Sequence, residues 1–322
     1  MTPILSIIIP TYNRPQLLKR AVKSCLDVMK DIDIEILIIP NGAIIHCLEH
    51  ISVLSKNIYI HPISEANANI ARNHGLSLAR GKYVRFLDDD DYFLSCAKFQ
   101  IDYMEKLNLE LSVGYTRHGI DGKLLNRVTL PIDLKDIVEC VLSQSGFTLV
   151  TGNLFLRESL KEVCWRPEIL RLQDNIWMID LCMAREWRWA IYDEDVAVWY
   201  HHNSNRISRN IKNNCIAPWF FYSKLELWYT LHRQNRLTKV RSDKIVENLK
   251  DYIHLNFPTA PLTCHKMTLD MIYLKKYQKN SCRLEYIILL REWIMLPYRK
   301  FKHYIFDILD KRKNKISIKN GF

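Results

Sequence analysis

Glycine is missing from the first forty residues of this 322-residue chain. The glycine-rich, basic phosphate loop that a nucleotidyltransferase generally places early in its chain is therefore not there, which leaves that class as an alternative only. Long apolar runs are missing too: nowhere do about 18 uncharged apolar residues stand together. No basic segment followed by an apolar core opens the sequence, where Met1-Thr2-Pro3 leads straight into Ile4-Leu5-Ser6-Ile7-Ile8-Ile9. These absences give the expectation of a cytoplasmic protein without a membrane span. The nine cysteines are odd in number, scattered, and form no Cys-x-x-Cys pair. Neither a disulfide framework nor a structural zinc site is expected, and buried reduced thiols are the default.

What is present is an ordinary globular share of hydrophobic residues, 48%, on a length that suits one large domain with an appendage or two modest ones. The net charge of +11 is unevenly placed. Residues 215 to 322 hold 21 lysines and arginines against 9 aspartates and glutamates, whereas residues 1 to 214 hold 25 against 26. The basic character belongs to the last third alone.

The first two hundred residues alternate short apolar segments with helical patterns, the signature of an α/β fold with a mostly parallel central sheet flanked by helices. Ile4 to Pro10 and Ile34 to Ile39 read as strands buried on both faces. Between them, Pro15 to Asp27 reads as an amphipathic helix with Leu17, Leu18, Val22 and Leu26 on one side. A second helix fits Ala68 to Ala79, and Tyr83 to Leu87 is another strand.

Four consecutive aspartates, Asp88 to Asp91, follow that strand at once. Like charges at an apolar strand end cost repulsion and desolvation, so the run calls for a cationic partner, such as a divalent metal carrying a phosphorylated ligand. A solvated acidic turn is the alternative. Position favours the ligand, because open α/β sheets bind ligands beyond the carboxyl ends of their strands. Two further strand ends meet the same edge: Pro10-Thr11-Tyr12-Asn13-Arg14 and Pro40-Asn41-Gly42. Together they offer a flat ring, an amide for a base edge, and carboxylates for a metal, the parts needed to hold a nucleoside diphosphate.

Three segments taken in order, Ser6 to Arg14, Asn69-Ile70-Ala71-Arg72-Asn73-His74-Gly75 and Gly81 to Asp91, resemble the family 2 inverting glycosyltransferases of GT-A fold, across roughly residues 4 to 210. The resemblance implies a nucleotide-sugar donor, usually a UDP-sugar, bound with Mn²⁺ or Mg²⁺. It implies that Pro10, Thr11, Tyr12, Asn13, Arg14, Asn41, Arg72, Asp88 and Asp89 line the donor site, with Arg72 alternatively a helix-surface salt bridge. Aligning Phe86-Leu87-Asp88 with the family's Phe-Leu-Asp makes Asp90 the metal ligand and Asp88 its companion on ribose or a metal-bound water. Asp91 is then at the edge of the acceptor cleft, or the ligand itself if the register shifts by one. Where the family usually has Asp-Asp-Gly-Ser, this chain has Pro40-Asn41-Gly42-Ala43, and Asn41 can accept or donate to a base.

The resemblance also assigns a general base. Leu172-Gln173-Asp174-Asn175-Ile176-Trp177 occupies the place of the family's Glu-Asp pair, so Asp174 matches the base and Gln173 replaces the glutamate. Stabilising the N-terminus of a helix running to about Trp187 is the other role open to Asp174. His201 and His202 follow in the family's order, and in a strand only one of the two rings can reach the site. His202 is favoured as a further metal or diphosphate ligand, with Arg206 and Ser208 assisting, and a satisfied surface histidine is the alternative.

The expected organisation is a catalytic domain over residues 1–212, with a donor half at 1–95 and an acceptor half at 96–212, then a basic, aromatic-rich, mainly helical region over 213–322. Segments such as Pro297 to Phe306 interleave aromatics and cations, which suits an anionic membrane surface at the inner face of the plasma membrane. Packing on the catalytic domain is the alternative, and no motif points to nucleic acid. The implied acceptor is a lipid-linked or growing surface glycan. An inactive nucleotide-sugar or glycan-binding module is the non-enzymatic alternative, hinted at only by Gln173.

Overall fold

The computed structural model of the chain describes residues 2–42, 48–143, 145–202 and 218–277. It divides into two compact units, Met1–Asn210 and Ile211–Phe322. The first unit opens with β1 (Leu5–Thr11), α1 (Pro15–Val28), β2 (Ile34–Pro40), a short α2 (Glu49–Ser52), β3 (Ile58–Ile60), α3 (Ala68–Leu78) and β4 (Tyr83–Phe86). It continues through β5 (Tyr92–Phe93), α4 (Phe99–Leu107), β6 (Leu111–Ile120), β7 (Lys123–Arg127), α5 (Ile137–Val141), β8 (Asn153–Leu156), α6 (Gln173–Ala184) and β9 (Trp189–His201).

Among the described residues the strands form one sheet in the order β3-β2-β1-β4-β8-β6-β9-β5, with β7 paired to β6. The first four are parallel neighbours, and both β1 and β2 are buried along their whole length. That is why their sequences are unbroken apolar runs rather than alternating ones. Beyond β4 the sheet turns mixed: β8 runs antiparallel to β4 and β6, and β9 runs parallel to β6. The expectation of a mostly parallel sheet thus describes its first half, and the second half is mixed.

Helix α1 runs one residue beyond its expected end. Its buried stripe is Leu18, Ala21, Val22 and Cys25, with Leu17 and Leu26 only half-buried. The small Ala21 and Cys25 let the helix lie close on the sheet, where a count of large apolar residues alone had favoured its flanks. Helix α3 starts under Asn67, whose side chain accepts from the backbone N–H groups of Asn69 and Ile70, the N-cap geometry that favours asparagine. Gly75 presses α3 onto β1, since a Cβ there would stand 2.4 Å from the Ile8 Cγ2 atom.

In the second unit, α7 (Pro218–Arg233), α8 (Lys239–Asn256) and α9 (Pro261–Tyr277) carry their own core, with Phe221, Leu227, Trp228, Leu231, Ile245, Leu249 and Met267 buried. Trp228 donates its indole N–H to Ser242 Oγ at 3.0 Å, joining α7 to α8. Much of the aromatic content of α7 is therefore spent on packing inside this unit. No helix among the described residues is long and apolar enough to cross a membrane. The stretch Pro297 to Phe306 lies outside the described residues.

Candidate active site

The carboxyl ends of β1, β2 and β4 come together, as their order in the sheet requires. Beyond β1 the chain turns at Asn13, whose φ of 50° lies in the left-handed region that asparagine tolerates better than most side chains. The turn delivers Arg14 to the mouth of α1, ahead of Pro15 at the first helical position. Pro10 itself is buried within β1 opposite Ile39. At the end of β2, the Asn41 side-chain amide donates to the Thr11 carbonyl at 3.1 Å. That bond turns the amide nitrogen inward, so the acceptor left on this side chain is Oδ1. Gly42, with φ 80°, lies so close to the Tyr12 ring that a Cβ would stand 2.9 Å from it, and Tyr12 is 55% exposed.

The four aspartates do not act as one block. They lie between β4 and β5, and the backbone turns so that the Asp91 N–H donates to the Asp88 carbonyl at 3.0 Å. Asp89 turns toward β1: its carboxylate accepts from Thr11 Oγ1 at 2.7 Å, from the Tyr12 N–H at 3.4 Å and from Arg14 at 3.1 Å. Burial pushes its carboxyl up to about 7, against the pull of Arg14. Asp88, Asp90 and Asp91 form the other group, with one carboxylate oxygen of each within 4.8 Å of the others. The separate registers weighed for Asp90 and Asp91 thus meet in one cluster.

Asp91 is not at the edge of a cleft. It is buried, accepting from Thr151 Oγ1 at 2.8 Å and from the Tyr200 N–H at 3.0 Å. Burial and the charges of Asp90 and Asp88 hold its carboxyl well above the usual range. Asp90 Oδ2 meets Arg14 at 2.9 Å and His202 Nε2 at 2.8 Å. His201 faces away and pairs with His118 at 2.8 Å, as strand alternation demands. Arg206 and Ser208 lie outside the described residues. Oxygen-only donors crowded together suit a hard divalent cation, and the Asp91 carboxyl, pushed up by burial and by the charges beside it, would be relieved by one. Asp88, Asp90 and Asp91 therefore fit Mn²⁺ or Mg²⁺.

Arg72 joins this cluster to α6. It is buried, so it is not a surface salt bridge. One of its nitrogens donates to Asp88 Oδ1 at 2.7 Å, the other to Gln173 Oε1 at 2.9 Å and Asn69 Oδ1 at 3.1 Å. Its guanidinium lies 4.4 Å from the ring of Trp165, which stacks on Trp177 at 4.6 Å. Asp174 is the second residue of α6, half-buried, after Leu172 with its left-handed φ of 54°. Burial pushes its carboxyl up to about 7, the charge of Asp88 pushes the same way, and Arg72 and the Val150 N–H pull it down. Helix α6 ends at Ala184, short of Trp187.

Two contributors carry no signal in the sequence. Arg20 of α1 is wedged between the rings of Tyr200 and Tyr92, 3.7 and 4.8 Å away, and donates to the Asp90 carbonyl. Thr151, just ahead of β8, donates its hydroxyl to Asp91. Both act on the aspartates across more than fifty residues of sequence.

Comparison with known proteins finds relatives of the chain. A family profile, Glycosyl transferase family 2, matches residues 6–164. An uncharacterised glycosyltransferase of Haemophilus influenzae is 26% identical over 231 residues, covering 70% of this chain and 89% of that protein. A poly(ribitol-phosphate) beta-glucosyltransferase of Bacillus spizizenii is 22% identical over 311 residues, covering 92% of this chain but only 47% of that longer protein. Among solved structures, S. aureus TarS 1-349 in complex with UDP-GlcNAc shares the fold, with a TM-score of 0.57 over 85% of this chain and 91% of that one, at 12% identity.

Proposed function

The chain is a glycosyl transferase family 2 enzyme with a GT-A fold, and from that premise we propose that it moves a sugar from a UDP-sugar to a hydroxyl of a lipid-linked or growing surface glycan, with inversion. The observation that carries this reading is the Asp88–Arg72–Gln173 connection, which ties the acidic cluster to the head of the helix that presents Asp174. A donor site alone would hold a nucleotide sugar. A base set beside it, with a carboxyl raised to about 7, is matched to taking a proton from an acceptor hydroxyl near neutral pH.

In this reading Tyr12 offers its exposed ring to the base of the donor and Asn41 Oδ1 accepts from a uracil N–H, in place of the aspartate usual in the family. Asp88, Asp90, Asp91 and His202 would hold a divalent cation, which when bound would offset the charge developing on the diphosphate leaving group. Arg72 keeps Asp88 in place, and because Gln173 is neutral it leaves the charge of Arg72 to Asp88 and Asp174. Asp174 removes the proton as the acceptor oxygen attacks the anomeric carbon, and a single displacement inverts that centre. The TarS complex with UDP-GlcNAc and the β-linkage named for the Bacillus relative support a UDP donor and inversion.

The basic second unit we assign to holding the enzyme at an anionic membrane surface, where a lipid-linked acceptor would be found. Purified protein with Mn²⁺, given a panel of UDP-sugars and lipid-linked or polyol-phosphate acceptors, should release UDP with at least one pair. Release from none of them would sink the proposal.

A further inference from the structure

Helix α1 sends two arginines to the acidic cluster, and they are held differently. Arg20 is clamped between Tyr92 and Tyr200 and donates to a backbone carbonyl, so its place is fixed by packing. Arg14 stands at the helix mouth with its side chain 21% exposed, and one terminal nitrogen spans Asp89 Oδ1 at 3.1 Å and Asp90 Oδ2 at 2.9 Å. That oxygen of Asp90 belongs to the carboxylate grouped with Asp88 and Asp91. A guanidinium thus already sits against a carboxylate that the divalent cation would use.

Two cations cannot share one carboxylate oxygen at full strength, since each raises the cost of placing the other. We propose that Arg14 is the resident counter-cation of this site: it holds Asp90 until a divalent cation binds, is displaced from Asp90 while keeping Asp89, and turns its freed N–H groups to the diphosphate of the donor. The inference rests on the metal-dependent reading of the site and adds an exchange to it. Asp89 explains why the exchange is short. Anchored by Thr11 and the Tyr12 N–H as well, it retains Arg14 at the cluster while Asp90 is released. A planar guanidinium with five donors can keep one carboxylate and reach a phosphate oxygen with the rest.

The exchange makes a paired prediction of opposite signs. Removing the charge in Arg14→Gln should tighten binding of Mn²⁺ alone, measured by calorimetry, by about tenfold, because the cluster loses its competing cation. In saturating Mn²⁺ the same variant should bind UDP about tenfold more weakly, because the diphosphate loses its charged partner. Arg14→Lys keeps the charge without the fork and should fall between wild type and Arg14→Gln in both measurements. A purely structural Arg14, bracing the turn after β1, would leave Mn²⁺ affinity unchanged or lower it, and that result overturns the inference. If wild type binds Mn²⁺ and Arg14→Gln binds it no tighter, only the exchange is wrong. If wild type binds no Mn²⁺ at all, the metal-dependent reading falls with it.

Discussion

The two edges of the parallel half-sheet treat buried carboxylates in opposite ways. Where β1, β2 and β4 begin, Glu35 is buried yet fully answered by its own chain. It accepts from Ser6 Oγ at 2.7 Å, from the Arg80 N–H at 2.6 Å and from the Arg80 guanidinium at 2.8 Å. Burial pushes this carboxyl up, but those donors together outweigh it and hold it below its usual range. Where the same strands end, Asp89 and Asp91 are buried with hydrogen-bond donors of their own and still sit above the usual range. The difference is cation supply. One guanidinium serves one carboxylate at the first edge, whereas at the second Arg14 is spread over Asp89 and Asp90, Arg72 pairs with Asp88, and Asp91 accepts from a hydroxyl and a backbone N–H. A carboxylate satisfied within the chain builds the fold, and one left short of positive charge is set to receive a ligand.

The sharpest way to break that comparison is to remove Asp174, the carboxylate proposed as the base. Asp174→Asn should lower transfer about 10³-fold, within the range ascribed to general acid–base groups, while UDP binding by calorimetry stays within a factor of about two. An equal loss of donor binding would make Asp174 a donor-site residue and not a base. Next in size, Asp90→Asn should weaken Mn²⁺ binding and transfer by about 10²-fold each. Because it also removes a buried like charge beside Asp91, its apo melting temperature should hold or rise. A site carboxylate whose loss stabilises the metal-free protein behaves opposite to Glu35. A drop of several degrees would place Asp90 with the structural carboxylates instead.

The same contrast shows what was legible in the sequence. Strands buried on both faces are written as continuous apolar runs, so β1, β2 and β4 and the edge they share could be found, and four aspartates mark that edge by charge alone. The second half of the sheet lacks that signature: β9 buries only Val196, Ala197 and Val198 of its thirteen positions, behind an acidic Asp193-Glu194-Asp195 run, and its parallel pairing with β6 leaves no local trace. Arg20 looked like any helix-surface arginine, because the rings of Tyr92 and Tyr200 that hold it arrive from distant segments. Gln173 read as a departure from the family's glutamate, and only the fold shows it accepting from Arg72. Local chemistry was visible, and partnerships made across the sheet were not.

The other edge offers the counter-tests. Glu35→Gln keeps the shape and some of the hydrogen bonds but loses the charge that Arg80 pairs with, and should cost about 2 kcal/mol of stability with transfer unchanged. Its pH signature carries the sign. A carboxyl lowered in the folded state contributes stability above its unfolded value, near 4.3, and loses it as pH falls through the folded value. The gap between wild type and Glu35→Gln in urea unfolding should therefore be full at pH 7 and close as pH drops below about 4.

Smallest is Ser6→Ala. Ser6 Oγ donates to Glu35 and accepts from the Gly81 N–H at 2.8 Å, at a place where Gly81 comes so close that a Cβ would stand 2.5 Å from the Ser6 nitrogen. Alanine leaves that buried N–H unpaired and takes one of three groups of donors from Glu35, for a loss of about 1 kcal/mol. Because the Arg80 backbone and guanidinium remain, the carboxyl should stay below its usual value, though less so than before. The acid limb of the unfolding curve should then move only slightly toward higher pH. A shift as large as that of Glu35→Gln would show that the serine, and not the arginine, is what separates this edge from the aspartates at the other.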